Sequence, residues 1–194
     1  MTSSSPHPEL SGSTVILRKF EADQIHERYI GWLNDTVVNR FSQRGRRRPT
    51  DAKDAYEYLS NLGTDEVVLG IYVEPYGHVG NVKYGPIDWD NSLADISIMI
   101  GEDAVWGGSV GSESVYLVSK FLFENLGLNR IEAGSHNPAF LRLVEKLGWQ
   151  VEGVLRQRIK TNERFIDHTL VSQLSENFRQ LPSYEASVSP PYSL

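Results

Sequence analysis

The order of hydrophobic and polar residues predicts a strand and then two helices at the start of the chain. The segment TVILRKF, residues 14–20, is rich in residues that favour strands. Helical spacing follows in four apolar residues: Ile25, Tyr29, Trp32 and Leu33. A second helix is predicted to begin after Thr50, as its N-cap, and to end at Gly63.

Three strand-like segments come next and predict an antiparallel meander. They are EVVLGIYV, HVGNVKYGPI and LADISIMI, and the turn-like segments EPYG and DWDN separate them. Connections as short as these join neighbouring antiparallel strands. The middle of the chain is therefore predicted to be a three-stranded sheet.

A strand–helix–strand unit is predicted after the meander. Helical spacing is carried by Val115, Val118, Leu122 and Leu126. This helix is predicted to end at Gly127, and RIEAGS follows as a short strand. Because a crossover helix joins parallel strands, we expect LADISIMI and RIEAGS to run in parallel.

The last part of the domain predicts one more helix and a hairpin. Asn137 and Pro138 are suited to the N-cap and the first helical position. The segments VEGVLRQRIK and RFIDHTLVSQL, joined through TNE, then predict a β-hairpin with long arms. The whole order indicates an α+β chain.

One domain is expected over residues 13–178, because no linker and no internal repeat divides it. Residues 1–12 and 179–194 are rich in Ser and Pro and have no apolar period, so we expect flexible tails there. No apolar run is long enough to cross a bilayer. We therefore expect a cytoplasmic protein without a membrane partner, either a monomer or a homodimer.

Composition and charge narrow the chemistry further. The chain has 194 residues, a formal net charge of −6 and no cysteine. The missing cysteine excludes disulfides, thiolate zinc sites and a cysteine nucleophile. The negative net charge disfavours long nucleic acid as a partner.

Four arginines nevertheless lie close together: Arg44, Arg46, Arg47 and Arg48. One interpretation is a solvated loop. Another is a loop that contacts the phosphate groups of a small ligand. The sequence leaves both interpretations open.

A stretch rich in glycine and serine, AVWGGSVGSESVYL, stands where the crossover helix is predicted to begin. The first turn of a helix favours an anion, but no lysine follows Gly111, which excludes a nucleotide P-loop. The spacing G-x-S-x-G is also that of a hydrolase nucleophile elbow, with Asp167 and His168 as partners. Adjacent residues of a strand point to opposite faces, which disfavours that triad. We expect a pyrophosphate held by main-chain N–H groups of residues 107–112.

The stretch VWGGSVGSESVYLVSKFLFENLGLNRIEAGSHNPAFLRLVEKLGW resembles the acetyl-CoA-binding core of the GNAT superfamily. That family has a W-G-x-G-x-G-T-E turn and an N-x-x-A-x-x-x-x-E-K-x-G-F helix. YIGWLNDTVVNRF resembles the W-L-N-D segment of the branch containing ribosomal-protein N-terminal, spermidine and amino-sugar acetyltransferases. The resemblance covers residues 14–174. It implies a mixed, mostly antiparallel twisted sheet flanked by helices, with a central β-α-β unit that binds acetyl-CoA.

The resemblance implies acetyl-CoA as co-substrate and no metal. One strand is implied to run beside the pantetheine arm, and the glycine-rich turn to meet the pyrophosphate. The residues implied to bind the cofactor are Ile98, Met99, Ile100, Gly107, Gly108, Ser109, Val110, Gly111, Ser112, Asn137 and Phe140. Two positions depart from the family: Ser109 replaces a glycine, and Val144 replaces the tyrosine thought to protonate the leaving thiolate.

Direct attack of an acceptor amine on acetyl-CoA is the expected mechanism, because the chain lacks cysteine and offers no convincing serine nucleophile. Asp95 matches an acidic position of the family strand and is the candidate base. A structural aspartate is the alternative for this residue. His136, beside Asn137, is a second candidate base.

The segment GNVKYGPIDWDNSLADISIMIG resembles members that act on nucleotide-linked amino sugars. The candidate acceptor residues are Arg46 and Arg47, for a diphosphate, and Tyr84 or Trp89, for a ring. The alternative acceptor is the α-amine of a protein N-terminus. An alternative of a different class is a CoA-binding or regulatory module without catalysis.

Overall fold

The computed structural model of the protein describes residues 9–42, 48–161 and 164–180. Its strands are β1 (Leu10–Ser11), β2 (Ile16–Lys19), β3 (Val67–Val73), β4 (Gly77–Asp88), β5 (Leu93–Ile100), β6 (Arg130–Ser135), β7 (Gln150–Lys160) and β8 (Phe165–Leu174). Its α-helices are α1 (Glu27–Asn34), α2 (Ala52–Ser60), α3 (Val110–Lys120), α4 (Pro138–Lys146) and α5 (Ser175–Arg179). Of the described helices, none has the length and apolarity needed to cross a bilayer.

The strands form one sheet in the order β1-β2-β3-β4-β5-β6-β8-β7. Neighbours are antiparallel except β5 and β6, which are parallel and joined through α3. The predicted α+β fold, the meander β3-β4-β5, the crossover unit and the closing hairpin are thus confirmed. Leu10 and Ser11, assigned to a tail by the sequence analysis, pair with β2. The predicted tails at 1–8 and 181–194 lie outside the described residues.

Alternate residues of the sheet enter two cores on opposite faces. The larger core lies between the sheet and α3 and α4, and it includes Ala94 and Ile96 of β5 and Ile131 of β6. The smaller core lies between the other face and α1 and α2, and it takes in Val68 and Met99. Since this second core draws no described residue from β6, β7 or β8, the face is open over those strands.

The helix α1 is anchored through a pair of histidines. His26 is its N-cap and accepts a hydrogen bond from Tyr29 N, while its Nε2 lies 2.8 Å from Nδ1 of His78. His78 is buried and stacks on Phe20, with ring centroids 4.6 Å apart. Burial, with His26 as a second cause, lowers the pKa of His78 to about 4. Burial and then Arg28 lower the pKa of His26 as well, so both rings favour the neutral form. Since His26 Nδ1 accepts from Tyr29 N, its Nε2 is the nitrogen that donates to His78 Nδ1.

Two helix starts differ from the sequence prediction. The N-cap of α2 is Asp51 rather than Thr50, because Asp51 and Asp54 form a reciprocal capping box. The helix α3 begins at Val110, inside the glycine-rich stretch rather than after it. The short helix α5 has no counterpart in the sequence prediction.

The W-L-N-D segment meets the end of β5. Trp32 is buried, and a Cβ at Gly101 would lie 2.0 Å from its indole ring. Glycine is therefore the residue that leaves room for the indole where the chain leaves β5. Through this contact α1 is seated against the strand that carries Ile98, Met99 and Ile100.

Replacement of Gly101 tests this contact. We expect Gly101→Ala to lower the free energy of unfolding by about 1–3 kcal/mol, because the methyl group overlaps the indole. Urea unfolding followed by tryptophan fluorescence measures the change. The control is Gly31→Ala on α1, where no atom lies within 4 Å of the new methyl group. Glycine is a poor helix former, so this control should be neutral or stabilise slightly. Equal stability of Gly101→Ala and wild type would contradict the steric argument.

Candidate functional site

The strands β5 and β6 are hydrogen-bonded at one end only. Their parallel pairing joins Leu93–Asp95 to Arg130–Glu132. Both strands continue past this short ladder, β5 to Ile100 and β6 to Ser135, so they diverge and leave a cleft. Among the described strands, none pairs with the cleft edge of β5 beyond the ladder. Its main-chain N–H and C=O groups are therefore available to an extended ligand.

Both diverging strands are held on their outer edges. β4 pairs with β5 as far as Ile100, and β8 pairs with β6 as far as Ser135. At the end of β5, the indole Nε1 of Trp106 donates a hydrogen bond to the carbonyl of Ile100 over 3.1 Å. The cleft edges thus keep their position without help from a ligand.

The first turn of α3 follows closely after the end of β5. Its N-cap, Ser109, makes no side-chain capping bond, and the first helical hydrogen bond runs from Glu113 N to Ser109 O over 2.8 Å. The N–H groups of Val110 and Gly111 consequently have no acceptor inside the helix. Gly107 has φ +79°, and the space where its Cβ would stand is open. The backbone at this turn is accessible to an anion.

Two residues of the glycine-rich turn have structural contacts of their own. A Cβ at Gly111 would lie 3.0 Å from Cδ1 of Leu143, so its small size serves the packing of α3 on α4. Ser112 Oγ donates a hydrogen bond to Ser109 O over 2.9 Å. Gly107 is therefore the residue whose lack of a side chain faces open space, and at Gly108 a Cβ would be in ordinary contact with Val105 O at 3.6 Å.

Glu113 fixes the start of α3 from the other side. Its carboxylate is buried and accepts hydrogen bonds from Ser13 N, from Ser13 Oγ over 2.9 Å and from Thr14 N over 3.1 Å. Hydrogen bonds to a charged group each stabilise by about 1.5–3 kcal/mol. The turn between β1 and β2 is thereby tied to the first turn of α3.

The start of α4 agrees with the sequence prediction. Asn137 is the N-cap, with Oδ1 accepting from Ala139 N over 3.0 Å, and Pro138 is the first helical residue. Because the cap uses the carboxamide oxygen, the NH₂ group of Asn137 is the part left for a ligand. Phe140 is partly buried against the larger core.

A cavity of 380 Å³ lies on the open part of the sheet face, over β5, β6, β8 and β7. The charged and histidine side chains that line it are Asp95, Arg130, Glu132, Glu152, Arg158 and His168. Asp95 and Glu132 are the last paired residues before β5 and β6 diverge. The cavity therefore begins at the inner end of the cleft.

Asp95 is the carboxyl group of this cavity whose pKa is raised. Burial by the cavity walls and, second, the charge of neighbouring Glu132 raise its pKa to about 6, against an opposing effect of Lys83. The side chain is nevertheless exposed to the solvent that enters the cavity. A carboxylate of this kind is accessible and is basic enough to accept a proton near neutral pH.

Arg130 neutralises the other two carboxylates. Its guanidinium donates to Glu132 Oε2 over 2.9 Å and to both carboxylate oxygens of Glu152, at 2.7 Å for Oε1. Glu152 also accepts from Ser172 Oγ over 2.7 Å. These contacts lower the pKa of Glu152 to about 2, so it remains ionised and paired.

His168 lies on the floor of the cavity. A Cβ at Gly134 would stand 2.3 Å from its Nε2, so the imidazole packs directly on the backbone of β6. Burial and then Arg158 lower the pKa of His168, which favours the neutral ring. His136 is 6.3 Å from His168 and 5.7 Å from Phe41, between ring centroids. The two histidines therefore lie at the same end of the site.

Two of the predicted ring-binding residues lie away from the cavity. Tyr84 is buried in the larger core, which leaves no face for a ligand ring. Its stacking role is therefore a wrong prediction, because alternation along β4 turns it to the α3 side. Trp89 is exposed in the β4–β5 turn, where Nε1 donates to Asp65 Oδ1 over 3.0 Å, and it does not line the cavity. Val144 is also buried in the core and presents no group to the site.

The predicted arginine contacts fall mostly outside the described residues, including Arg46 and Arg47. Arg48 is described, and its guanidinium donates to both carboxylate oxygens of Asp54, at 2.6 and 2.5 Å. Arg48 therefore pairs with a residue in the first turn of α2.

The sequence analysis does not predict the observed role of three cavity residues. Arg130 and Arg158 are not selected there, and His168 is considered only as a partner of Asp167. In the structure Asp167 accepts from Gln157 N over 2.8 Å, and His168 points to the opposite face. Strand alternation is the available signal, but it needs the register of β6, β8 and β7, which the sequence does not provide.

The raised pKa of Asp95 predicts a pH-dependent stability cost. The pKa is about 6 in the folded protein against 3.8 for the free side chain, so stability falls as the pH rises between these values. We expect Asp95→Asn to be more stable than wild type above pH 6 and equally stable below about pH 4. Urea unfolding at both pH values measures this.

The control for that experiment is Asp88→Asn. Hydrogen bonds from Asn91 lower the pKa of Asp88. Removal of its charge should therefore destabilise the protein at neutral pH, the opposite sign. Loss of stability in Asp95→Asn at neutral pH would contradict the desolvation argument.

The chain has relatives among known protein families and sequences. The family model described as "Acetyltransferase (GNAT) domain" matches residues 14–150. The Uncharacterized N-acetyltransferase p20 of Bacillus licheniformis is 28% identical over 169 residues, which cover 84% of this chain and 94% of that protein. Both findings agree with the resemblance carried by the glycine-rich turn and the helix after Asn137.

Solved structures of acetyltransferases have the same fold. Spermidine N-acetyltransferase from Vibrio cholerae, in complex with CoA and spermine, has a TM-score of 0.77 at 18% identity and covers 87% of this chain and 100% of that one. A ribosomal L7/L12 α-N-protein acetyltransferase in complex with coenzyme A has a TM-score of 0.75 at 12% identity, covering 86% and 98%. With a family model that spans most of its domain, the chain belongs to the GNAT acetyltransferases and is an N-acetyltransferase.

Proposed function

We propose that β5 and α3 hold acetyl-CoA and that the cavity holds the acceptor amine. The free edge at Ile98, Met99 and Ile100 offers N–H and C=O groups to the pantetheine arm, as an added strand would. Main-chain N–H groups of the α3 first turn, next to Gly107 and Gly108, receive the pyrophosphate. Both solved relatives described above are complexes with CoA, which supports this assignment.

The first turn of α3 is suited to a diphosphate without lysine or metal. It presents uncapped N–H groups, an open approach at Gly107 and a rigid tie to the β1–β2 turn through Glu113. The positive end of the helix dipole adds to this attraction. Asn137 supplies a further donor from the start of α4.

Replacement of Gly108 tests the proposed pyrophosphate contact. A Cβ at Gly108 would lie 3.6 Å from Val105 O, so the fold tolerates a side chain there. We expect Gly108→Val to weaken CoA binding at least about tenfold, or ~1.4 kcal/mol, because the side chain covers the main-chain donors. Calorimetry with CoA measures the affinity, and thermal unfolding checks that the variant is folded. The same affinity as wild type would remove this turn from the proposed site.

Acetyl-CoA supplies an activated acyl group as a thioester. In the proposed reaction Asp95 accepts the proton that the acceptor amine loses as its nitrogen bonds to the acetyl carbon and the C–S bond breaks. The Asp95 carboxylate lies at the inner end of the cleft. It is therefore next to the proposed positions of both acetyl-CoA and the acceptor amine. A thiol with a pKa of about 8.5 leaves as thiolate without a strong acid, which suits a site with Val144 in place of tyrosine.

The observation that carries this proposal is the position of Asp95. Asp95 is the last residue of β5 that pairs with β6 before the cleft, and it lines the cavity. Its pKa is also raised. A base with a pKa of about 6 matches amines that are already weakly basic. For an amine of pKa about 7.7, deprotonation at pH 7 costs roughly 1 kcal/mol, against about 4.6 for a lysine-like amine.

The proposed acceptor is a primary amine on a nucleotide-linked sugar. Of the two guanidinium groups in the cavity, Arg130 is paired with Glu132 and Glu152, whereas Arg158 has no such partner among the described residues and suits a molecule that carries phosphate. The second candidate is the α-amine of a protein N-terminus. Leu155 and Leu170, exposed at the cavity wall, offer contacts to the first side chains of such a peptide.

A thiol-release assay with acetyl-CoA tests the function. The acceptor panel consists of UDP-glucosamine, free glucosamine, spermidine and short peptides with free N-termini. We expect release of CoA with the nucleotide-linked sugar at the highest kcat/KM, and a kcat that rises with pH through about 6 as Asp95 ionises. Preference for a peptide would select the second candidate.

The matched variant for the assay is Asp95→Asn. We expect it to lose about 10²–10⁴ in kcat and the pH dependence near 6, while CoA affinity is kept. Unchanged kcat and pH profile would make Asp95 structural. No thiol release with any amine would refute the proposed reaction.

A further inference from the structure

Arg158 lies on a bulge of β7. The ladder between β7 and β8 is interrupted between Leu155 and Ile159, and Gln157 within this segment has φ +54°, in the left-handed region. The bulge is fastened by a hydrogen bond from Gln157 N to Asp167 Oδ1 over 2.8 Å. Bulges redirect side chains, and here Arg158 lines the cavity.

The charge of Arg158 is uncompensated in the described part of the chain. It has no ion pair or hydrogen bond with a described residue, and its field lowers the pKa of neighbouring His168. Arg130, the other cation of the cavity, is fully engaged by Glu132 and Glu152. An exposed guanidinium held in a cavity is a strong receptor for an oxyanion, because its planar fork makes two parallel hydrogen bonds.

We propose that Arg158 binds an oxyanion of the acceptor, a phosphate or a carboxylate, and so determines which amines the enzyme accepts. This inference rests on the proposed function, in which the acceptor amine lies at Asp95. It assigns the anion contact to the β7 bulge, within the described cavity, rather than to the arginines at 46 and 47.

The sheet sets the spacing between the amine and the anion. Asp95 and Arg158 are on strands three steps apart in the sheet, which is about 14 Å. They are also offset along the strands, because Glu132, the partner of Asp95, pairs with Ser172, whereas the bulge lies beyond His168. That offset of at least four residues adds about 13 Å. Side-chain reach shortens the gap but does not close it.

This spacing distinguishes classes of acceptor. A free α-amino acid carries its amine and carboxylate on one carbon and cannot reach both groups. In UDP-glucosamine the amine and the diphosphate are on neighbouring ring carbons, and the glycosidic oxygen and the diphosphate chain place the phosphate oxygens several bonds farther from the amine than the carboxylate of an amino acid. A peptide likewise separates its α-amine from an acidic side chain or terminus by several bonds. The proposed acceptor is thus an amine with a distant oxyanion.

Substitution of Arg158 and of its neighbour Arg156 tests the inference. Arg156 is exposed on the same bulge but does not line the cavity, so Arg156→Gln is the matched control. We expect Arg158→Gln to raise the KM for UDP-glucosamine at least tenfold more than the KM for free glucosamine. The control should change neither KM. A pair of peptides tests for a carboxylate. One peptide has an acidic third residue, and in the other the side chain of that residue is the corresponding amide.

A selective loss with UDP-glucosamine identifies phosphate as the oxyanion, and a selective loss with the acidic peptide identifies carboxylate. Equal KM ratios for wild type and Arg158→Gln in both arms would overturn the inference while leaving the proposed acetyl transfer intact. Calorimetry with inorganic pyrophosphate, on protein already saturated with CoA so that the first turn of α3 is occupied, gives a readout without turnover. Binding that Arg158→Gln weakens at least tenfold supports the inference even if no amine is acetylated, and equal binding by both proteins contradicts it.

Discussion

Hydrogen bonding between β5 and β6 stops at the Asp95–Glu132 pair, and the site depends on that early stop. Each strand is paired along its outer edge, β5 with β4 and β6 with β8, so the inner edges are separated without becoming mobile. Unpaired backbone groups at such an edge need water or a ligand as partners. The fold therefore presents a fixed row of donors and acceptors at the one parallel junction of the sheet.

The same junction explains the electrostatics of the cavity. Parallel pairing sets Asp95 beside Glu132 at the inner end of the cavity. Burial by the cavity walls is the larger cause of the raised pKa of Asp95, and the negative charge of Glu132 adds to it even though Arg130 is hydrogen-bonded to Glu132 and Glu152. A group kept charged at a cost to stability is often found where chemistry is carried out. The proposed function of Asp95 and the stability of the fold are thus opposed.

The glycine-rich turn that we propose to bind the cofactor depends on contacts distant in sequence. Glu113 holds Ser13 and Thr14, and Gly111 lets α3 approach Leu143 of α4. A turn with short, small residues would be flexible by itself, since glycine and serine restrict the backbone little. Anchoring from the β1–β2 turn and from α4 gives the uncapped N–H groups a defined direction, which is what binding an anion by main-chain groups requires.

The sequence by itself determined the order of the elements from β2 to β8, the α+β class, the antiparallel meander, the parallel crossover and the N-cap at Asn137, but it missed the short β1 and α5. These follow from local periodicity and capping, which act over a few residues. The family likeness rested on the glycine-rich turn, again a local pattern. Only the tertiary structure decided that Tyr84 is core, that Asp51 caps α2, and that Arg158 and His168 share a cavity with Asp95. Those outcomes depend on strand register and on which half of a sheet face the helices cover, and such long-range choices leave no local pattern in the chain.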